Sequence, residues 1–121
     1  MASARTLEEV LQSTSDVLFP EESGGAPVSI DSADCDGDTP LHVLIWRGDT
    51  EGALLLIRHG ADVNAVGDMG ETPLHVAISM RNTSVIGALL GVGASTEMVS
   101  EFGKSASEQA EEIGIDLDAC K

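Results

Sequence analysis

Asp38-Thr39-Pro40-Leu41-His42-Val43 returns as Glu71-Thr72-Pro73-Leu74-His75-Val76, 33 residues further along the chain. The same step carries Gly37 to Gly70, Ile45 to Ile78, Thr50 to Thr83 and Leu56 to Leu89. It also carries Gly60-Ala61 to Gly93-Ala94 and Val66 to Val99, and one further step takes Gly70 to Gly103 and Ala77 to Ala110. Self-similarity at a fixed period of roughly 20–50 residues marks a repeat architecture, in which each copy is one supersecondary unit.

The residues inside one period say what that unit is. It opens on a Gly-containing turn (Asp36-Gly37-Asp38, Met69-Gly70-Glu71), where glycine enters backbone regions that other residues resist. Thr then Pro follows, which starts a helix: threonine caps the orphan amides and proline fits the first turn. The pattern predicts a short helix over Pro40–Arg47 ended by Gly48. A second helix is predicted over Thr50–His59, with an apolar stripe at Leu54, Leu55 and Ile57 and a stop at Gly60. Neither is long enough to hold its shape alone in water, so the units must stack into a solenoid.

Thr72-Pro73-Leu74-His75-Val76-Ala77 is the T-P-L-H-x-A run of ankyrin repeats, and Thr39 to Leu44 departs from it only at the last residue. Gly60-Ala61-Asp62-Val63-Asn64-Ala65 is similar to that family's repeat-closing run. The chain therefore resembles ankyrin-repeat proteins. The resemblance implies an all-α ankyrin-repeat solenoid of stacked helix–turn–helix units with turn fingers, forming one domain. Its two full repeats would occupy 34–66 and 67–99, between an N-terminal capping helix and loop over 1–33 and a truncated C-terminal capping repeat over 100–121. It further implies that His42 and His75 are buried and bond the repeat turns together.

The ends read as caps. Leu7, Val10, Leu11 and Leu18 have helical spacing and predict a helix from Thr6 to Phe19 that covers the first repeat. Pro20 to Pro27 reads as a loop, and Val28-Ser29-Ile30 as the remnant of a closing segment, 33 residues ahead of Ala61-Asp62-Val63. At the other end Ser105 stands where Thr72 would, Ala106 where Pro73 would, and Ser107–Ile113 is a polar capping helix. The second repeat is weakened by Arg81, in place of the helix-ending glycine, and by Gly87 inside its second helix, at about 1 kcal/mol relative to alanine.

Composition narrows the partners. The 121 residues carry 21 Asp+Glu against 6 Lys+Arg, a net charge of -15, and only 2% aromatic residues. Such a chain lacks the stacking platforms that bind single-stranded nucleic acid, and its charge repels phosphate backbones and anionic membrane surfaces. No apolar run nears a membrane span, and the N-terminus has neither the basic start nor the apolar stretch of a signal peptide. Cys35 and Cys120 lie far apart without paired spacing, which fits reduced thiols in a cytoplasmic protein, monomeric when free.

Catalytic constellations are incomplete. His59 belongs to a helix C-terminus, where it favours the dipole, and no catalytic partner stands near it in sequence. Asp34-Cys35-Asp36-Gly37-Asp38 imitates the opening of a calcium loop, but its glycine comes too early and Ile45 holds the place of the closing glutamate. Cys35 has no indicated base, and Gly91-Val92-Gly93 is followed by no P-loop lysine. No enzyme, metal site or cofactor is expected.

What remains is surface. In ankyrin folds the turn tips and the exposed side of each first helix form a concave binding face. Position by position, the resemblance places there Asp36, Asp38, Trp46 and Arg47 from the first repeat. It adds Asp68, Met69, Glu71 and Met80 from the second, and Glu101 and Phe102 from the third. Acids surrounding a tryptophan and nearby methionines suit a protein with a basic surface, the aromatic anchoring and the charges steering. Asp36–Asp49, Asn64–His75 and Ser100–Ala106 are also similar to small bacterial ankyrin proteins, some of which serve as immunity proteins beside toxins. A short binder with nothing else attached acts by occupying a surface. The expected function is thus an acidic inhibitor that occludes a toxin, such as a basic nuclease, with a non-inhibitory ankyrin adaptor as the alternative.

Overall fold

The computed structural model describes residues 6–14, 30, 32–33 and 37–120. Seven α-helices follow in order among them: α1 (Leu7–Gln12), α2 (Pro40–Arg47), α3 (Thr50–Arg58), α4 (Pro73–Ser79), α5 (Thr83–Gly91), α6 (Ala106–Ile113) and α7 (Leu117–Cys120). Helices α2, α4 and α6 pack side by side as one layer, while α3, α5 and α7 form a second layer behind them, and α1 rests on α3. No strand occurs among the described residues; an isolated bridge joins Val99 to Ser105. One core runs the length of the stack, from Val10 and Leu11 through Leu41, Leu44, Leu74 and Leu89 to Ala106 and Ala110. The all-α solenoid expected from the period is the architecture observed.

Every first helix starts in the same way. Thr6, Thr39, Thr72 and Ser105 sit at successive 33-residue steps, and each accepts a hydrogen bond from the backbone N–H three residues on. In each case the side chain at that third position reaches back to the cap, closing a capping box. The residue that reaches back differs by position. It is Glu9 in α1 and Glu108 in α6, but His42 in α2 and His75 in α4.

That difference is chemical. A carboxylate only accepts, whereas a neutral imidazole accepts at one nitrogen and donates at the other. His42 Nδ1 accepts from Thr39 N–H at 3.1 Å, while Nε2 donates to the Glu71 carbonyl at 3.0 Å in the next unit. His75 repeats the pattern, accepting from Thr72 N–H at 3.2 Å and donating to the Lys104 carbonyl at 3.1 Å. Both rings are buried, as the resemblance implied, and they bond the successive turns. A second seam runs through the rear layer, where Asn82 Nδ2 donates to Thr50 Oγ1 at 2.8 Å.

Two expectations need correction, and others fall on residues outside the described ones. The first helix ends at Gln12 rather than near Phe19: Ser13 Oγ and Thr14 Oγ1 donate to the carbonyls of Val10 and Leu11, taking up the acceptors of the last turn. The Pro20–Pro27 loop, Val28-Ser29, Cys35 and Asp36 lie outside the described residues. The buried side of α3 is Ala53, Leu56 and Ile57, with Leu54 and Leu55 only half-buried, because the helix is covered both by α2 and by the next unit. The reading of the second repeat holds in its geometry. Gly48 ends α2 at φ 76°, and Arg81 takes the same left-handed turn at φ 56°, a conformation costly for a residue with a Cβ.

His75→Ala strands the buried Thr72 amide, whereas the Lys104 carbonyl keeps its bond from Ser100 N–H, so urea unfolding should show a loss of about 1–3 kcal/mol. Glu108→Ala removes only a half-exposed capping bond and should cost less than about 1 kcal/mol. Equal losses would mean that the second imidazole bond carries no energetic weight.

Candidate functional site

Each turn finger is held by its own backbone. Gly67 N–H donates to the Glu71 carbonyl at 2.9 Å, and Ser100 N–H donates to the Lys104 carbonyl at the same distance one unit later. Successive fingers are then linked at their tips. Asp38 Oδ1 accepts from Asp68 N–H at 3.0 Å, and Glu101 N–H donates to the Met69 carbonyl at 2.9 Å. Gly67 makes the first link possible, since a Cβ there would collide with the Asp38 carboxylate and stand 3.0 Å from His42 Nε2.

Between the fingers and the first-helix layer lies a concave groove in two compartments. One is lined by Asp38, His42, Val43, Trp46, Arg47 and Asp68. The other is lined by Trp46, Glu71, Val76, Ser79, Met80 and Phe102. Trp46 belongs to both and forms the wall between them. Val43 and Val76, one repeat apart, supply the buried floor of each. Trp46, Met80 and Phe102 are 60%, 47% and 66% exposed, so none of the three is held in the core. Apolar surface displayed at this level, gathered in a concavity, is the usual mark of an interaction site.

The groove brings together seven of the expected residues: Asp38, Trp46, Arg47, Asp68, Glu71, Met80 and Phe102. Met69 and Glu101 are exposed but line neither compartment, because the bond between their backbones places them at the finger tips. Asp36 lies outside the described residues. His42, Val43, Val76 and Ser79 complete the lining; the two valines recur at the same step as the histidines, and Ser79 holds the exposed first-helix position beside Met80. Of the two cations here, Arg47 lines the first compartment and Lys104 lies outside both linings, and each is engaged. Arg47 Nη1 donates to the Ser13 carbonyl at 2.6 Å, and Lys104 pairs with Glu112 on α6.

Charge crowding shows in one side chain. Burial raises the Glu71 carboxyl above the usual glutamate range; His75 opposes the shift, while Asp38 and Asp68 add to it. Two other hollows lie at the α5–α7 end, lined by half-buried side chains such as Leu90, Ile115 and Leu117 that pack on the core. They lack exposed aromatic surface. Among the described residues no group of three His, Cys, Asp or Glu is placed to hold a metal ion. No described helix is long and apolar enough to cross a membrane.

The family model for ankyrin repeats in three copies matches residues 9–99. The chain belongs to the ankyrin-repeat family. Comparison with curated proteins finds no match. Ankyrin repeats are non-catalytic interaction modules, so this chain is a protein–protein interaction module.

The raised Glu71 carboxyl gives a pH signature for this groove. A group whose folded pKa is raised contributes stability that is present at low pH and lost as pH rises through that value. Glu71→Gln should therefore raise the melting temperature at pH 7, and the gain should vanish below about pH 4, where the glutamate is protonated in both states. A gain that persists at low pH would trace to something other than charge.

Proposed function

We propose that this ankyrin protein is an acidic inhibitor, an immunity protein that neutralises a toxin by covering its surface. The observation that carries the reading is the groove itself: exposed Trp46, Met80 and Phe102 beside the carboxylates of Asp38, Asp68 and Glu71, on a chain of net charge -15. Aromatic side chains supply contact area at low entropic cost, methionine adapts its shape to a partner, and the acids draw in a basic counterpart. A basic nuclease-type toxin fits this chemistry, because its phosphate-binding cleft would accept a row of carboxylates in place of nucleic acid. The protein acts in the cytoplasm, as a monomer when free, without catalysis, metal or cofactor. It binds neither nucleic acid nor membrane, since like charges repel at both.

Trp46→Ala combined with Asp68→Lys should abolish capture of the partner from the native source while leaving the melting temperature nearly unchanged. Substitutions of Glu51 or Ser84 on the rear layer should leave capture intact; equal loss there would move the site. The association rate should also fall steeply with salt, because exposed charges are screened beyond about 8 Å at roughly 0.15 M. An adaptor would bind through the same groove but leave its partner active, so an activity assay of the captured partner separates the two roles.

A further inference from the structure

The two compartments of the groove differ in chemistry although they share a wall. In the first, both nitrogens of His42 are committed, one to Thr39 N–H and the other to the Glu71 carbonyl, so the ring presents only carbon to the hollow. Val43 floors it, Trp46 closes one side, and Asp68 is exposed at its mouth with the Asp38 carboxylate bonded to the Asp68 amide behind it; Arg47 also lines it, with its Nη1 bonded to the Ser13 carbonyl. An indole face beside carboxylates suits a planar cation: a guanidinium stacks on the ring and bonds a carboxylate through two parallel N–H groups. An ammonium group matches only the charge.

The second compartment is apolar on most sides, with Trp46, Val76, Met80 and Phe102 around Ser79. Methionine and phenylalanine at this exposure adapt to an inserted aliphatic or aromatic side chain. Glu71 lines this second hollow, and besides its burial its carboxyl feels the negative charges of Asp38 and Asp68 from the first, so the acids of the groove act on one another.

We infer that the groove reads a two-part feature of its partner: an arginine side chain laid over Trp46 against Asp68, next to an apolar side chain seated between Trp46, Met80 and Phe102. The inference rests on the protein-binding reading above and names what that reading leaves open. The occupant is a segment of a protein carrying arginine beside an aliphatic or aromatic residue, chosen by charge complementarity and by the shared tryptophan wall.

The test presents a library of random seven-residue peptides to the immobilised full chain. Wild-type protein should enrich peptides in which arginine lies within two or three residues of leucine, isoleucine, methionine or phenylalanine. Asp68→Asn should lose the arginine preference and keep the apolar one, whereas Met80→Glu should do the reverse, with melting temperatures unchanged. In the best peptide, citrulline in place of arginine should weaken binding at least about tenfold, read by the fluorescence of the sole tryptophan. No enrichment, an apolar preference without arginine, or simultaneous loss of both preferences in Asp68→Asn would overturn the inference. If peptides fail but the Trp46/Asp68 double variant still loses its captured partner, the groove binds a folded surface and only the two-part inference falls. If that double variant keeps its partner, the earlier reading falls as well.

Discussion

One ring with two nitrogens sets the geometry of this protein. The Nδ1 atoms of His42 and His75 cap the helices that bear them, and their Nε2 atoms fix where the next turn finger begins. Because both bonds leave a rigid planar ring, the start of one helix and the finger of the following unit stand at a set spacing. The finger closures at Gly67 and Ser100 then follow, since each uses the same carbonyl that the imidazole holds. Groove depth depends on that spacing in turn, as the floor valines stand one residue beyond each histidine.

Strain has been accepted where it serves that arrangement. Met69 sits at φ 60° beside Gly70, and this places its carbonyl to receive the Glu101 amide. Gly67 gives up a side chain so that Asp38 can reach the neighbouring finger. The acids around the groove thus stand on backbone fixed by hydrogen bonds, so a partner need not order the loops that carry them, and less entropy is lost on association.

The stack was legible in the sequence because its period is unbroken between residues 37 and 99, and its helix starts are marked by Thr-Pro. What escaped was whatever depended on a partner across the fold. Thr6 and Glu9 stand 33 residues ahead of Thr39 and His42, yet with leucine and glutamate in place of the intervening signature they pass as an ordinary helix start. Ser13 and Thr14 end α1 through side-chain bonds to carbonyls that helical spacing alone does not reveal. Asp38 reads as a rim acid and is one, but it is also the acceptor that ties two fingers, a role visible only once Asp68 is beside it. Met69 and Glu101 stand on the turn tips, as expected from their place in the repeat, but position within a repeat does not say that the tips are bonded to one another.

The alternation of histidine and glutamate at one capping position has a consequence for how the molecule comes apart. Units joined by an imidazole share a proton donor across their boundary, but Glu9 has none to offer; among the described residues α1 packs on α3, and Arg47 bonds the Ser13 carbonyl just beyond it. Solenoids tend to open where neighbouring units are least well joined, and among the described residues the first boundary lacks the imidazole bond that the next two have. Loss of α1 would release Arg47, which lines the first compartment, from the Ser13 carbonyl, so the N-terminal edge bears on the groove through this side chain.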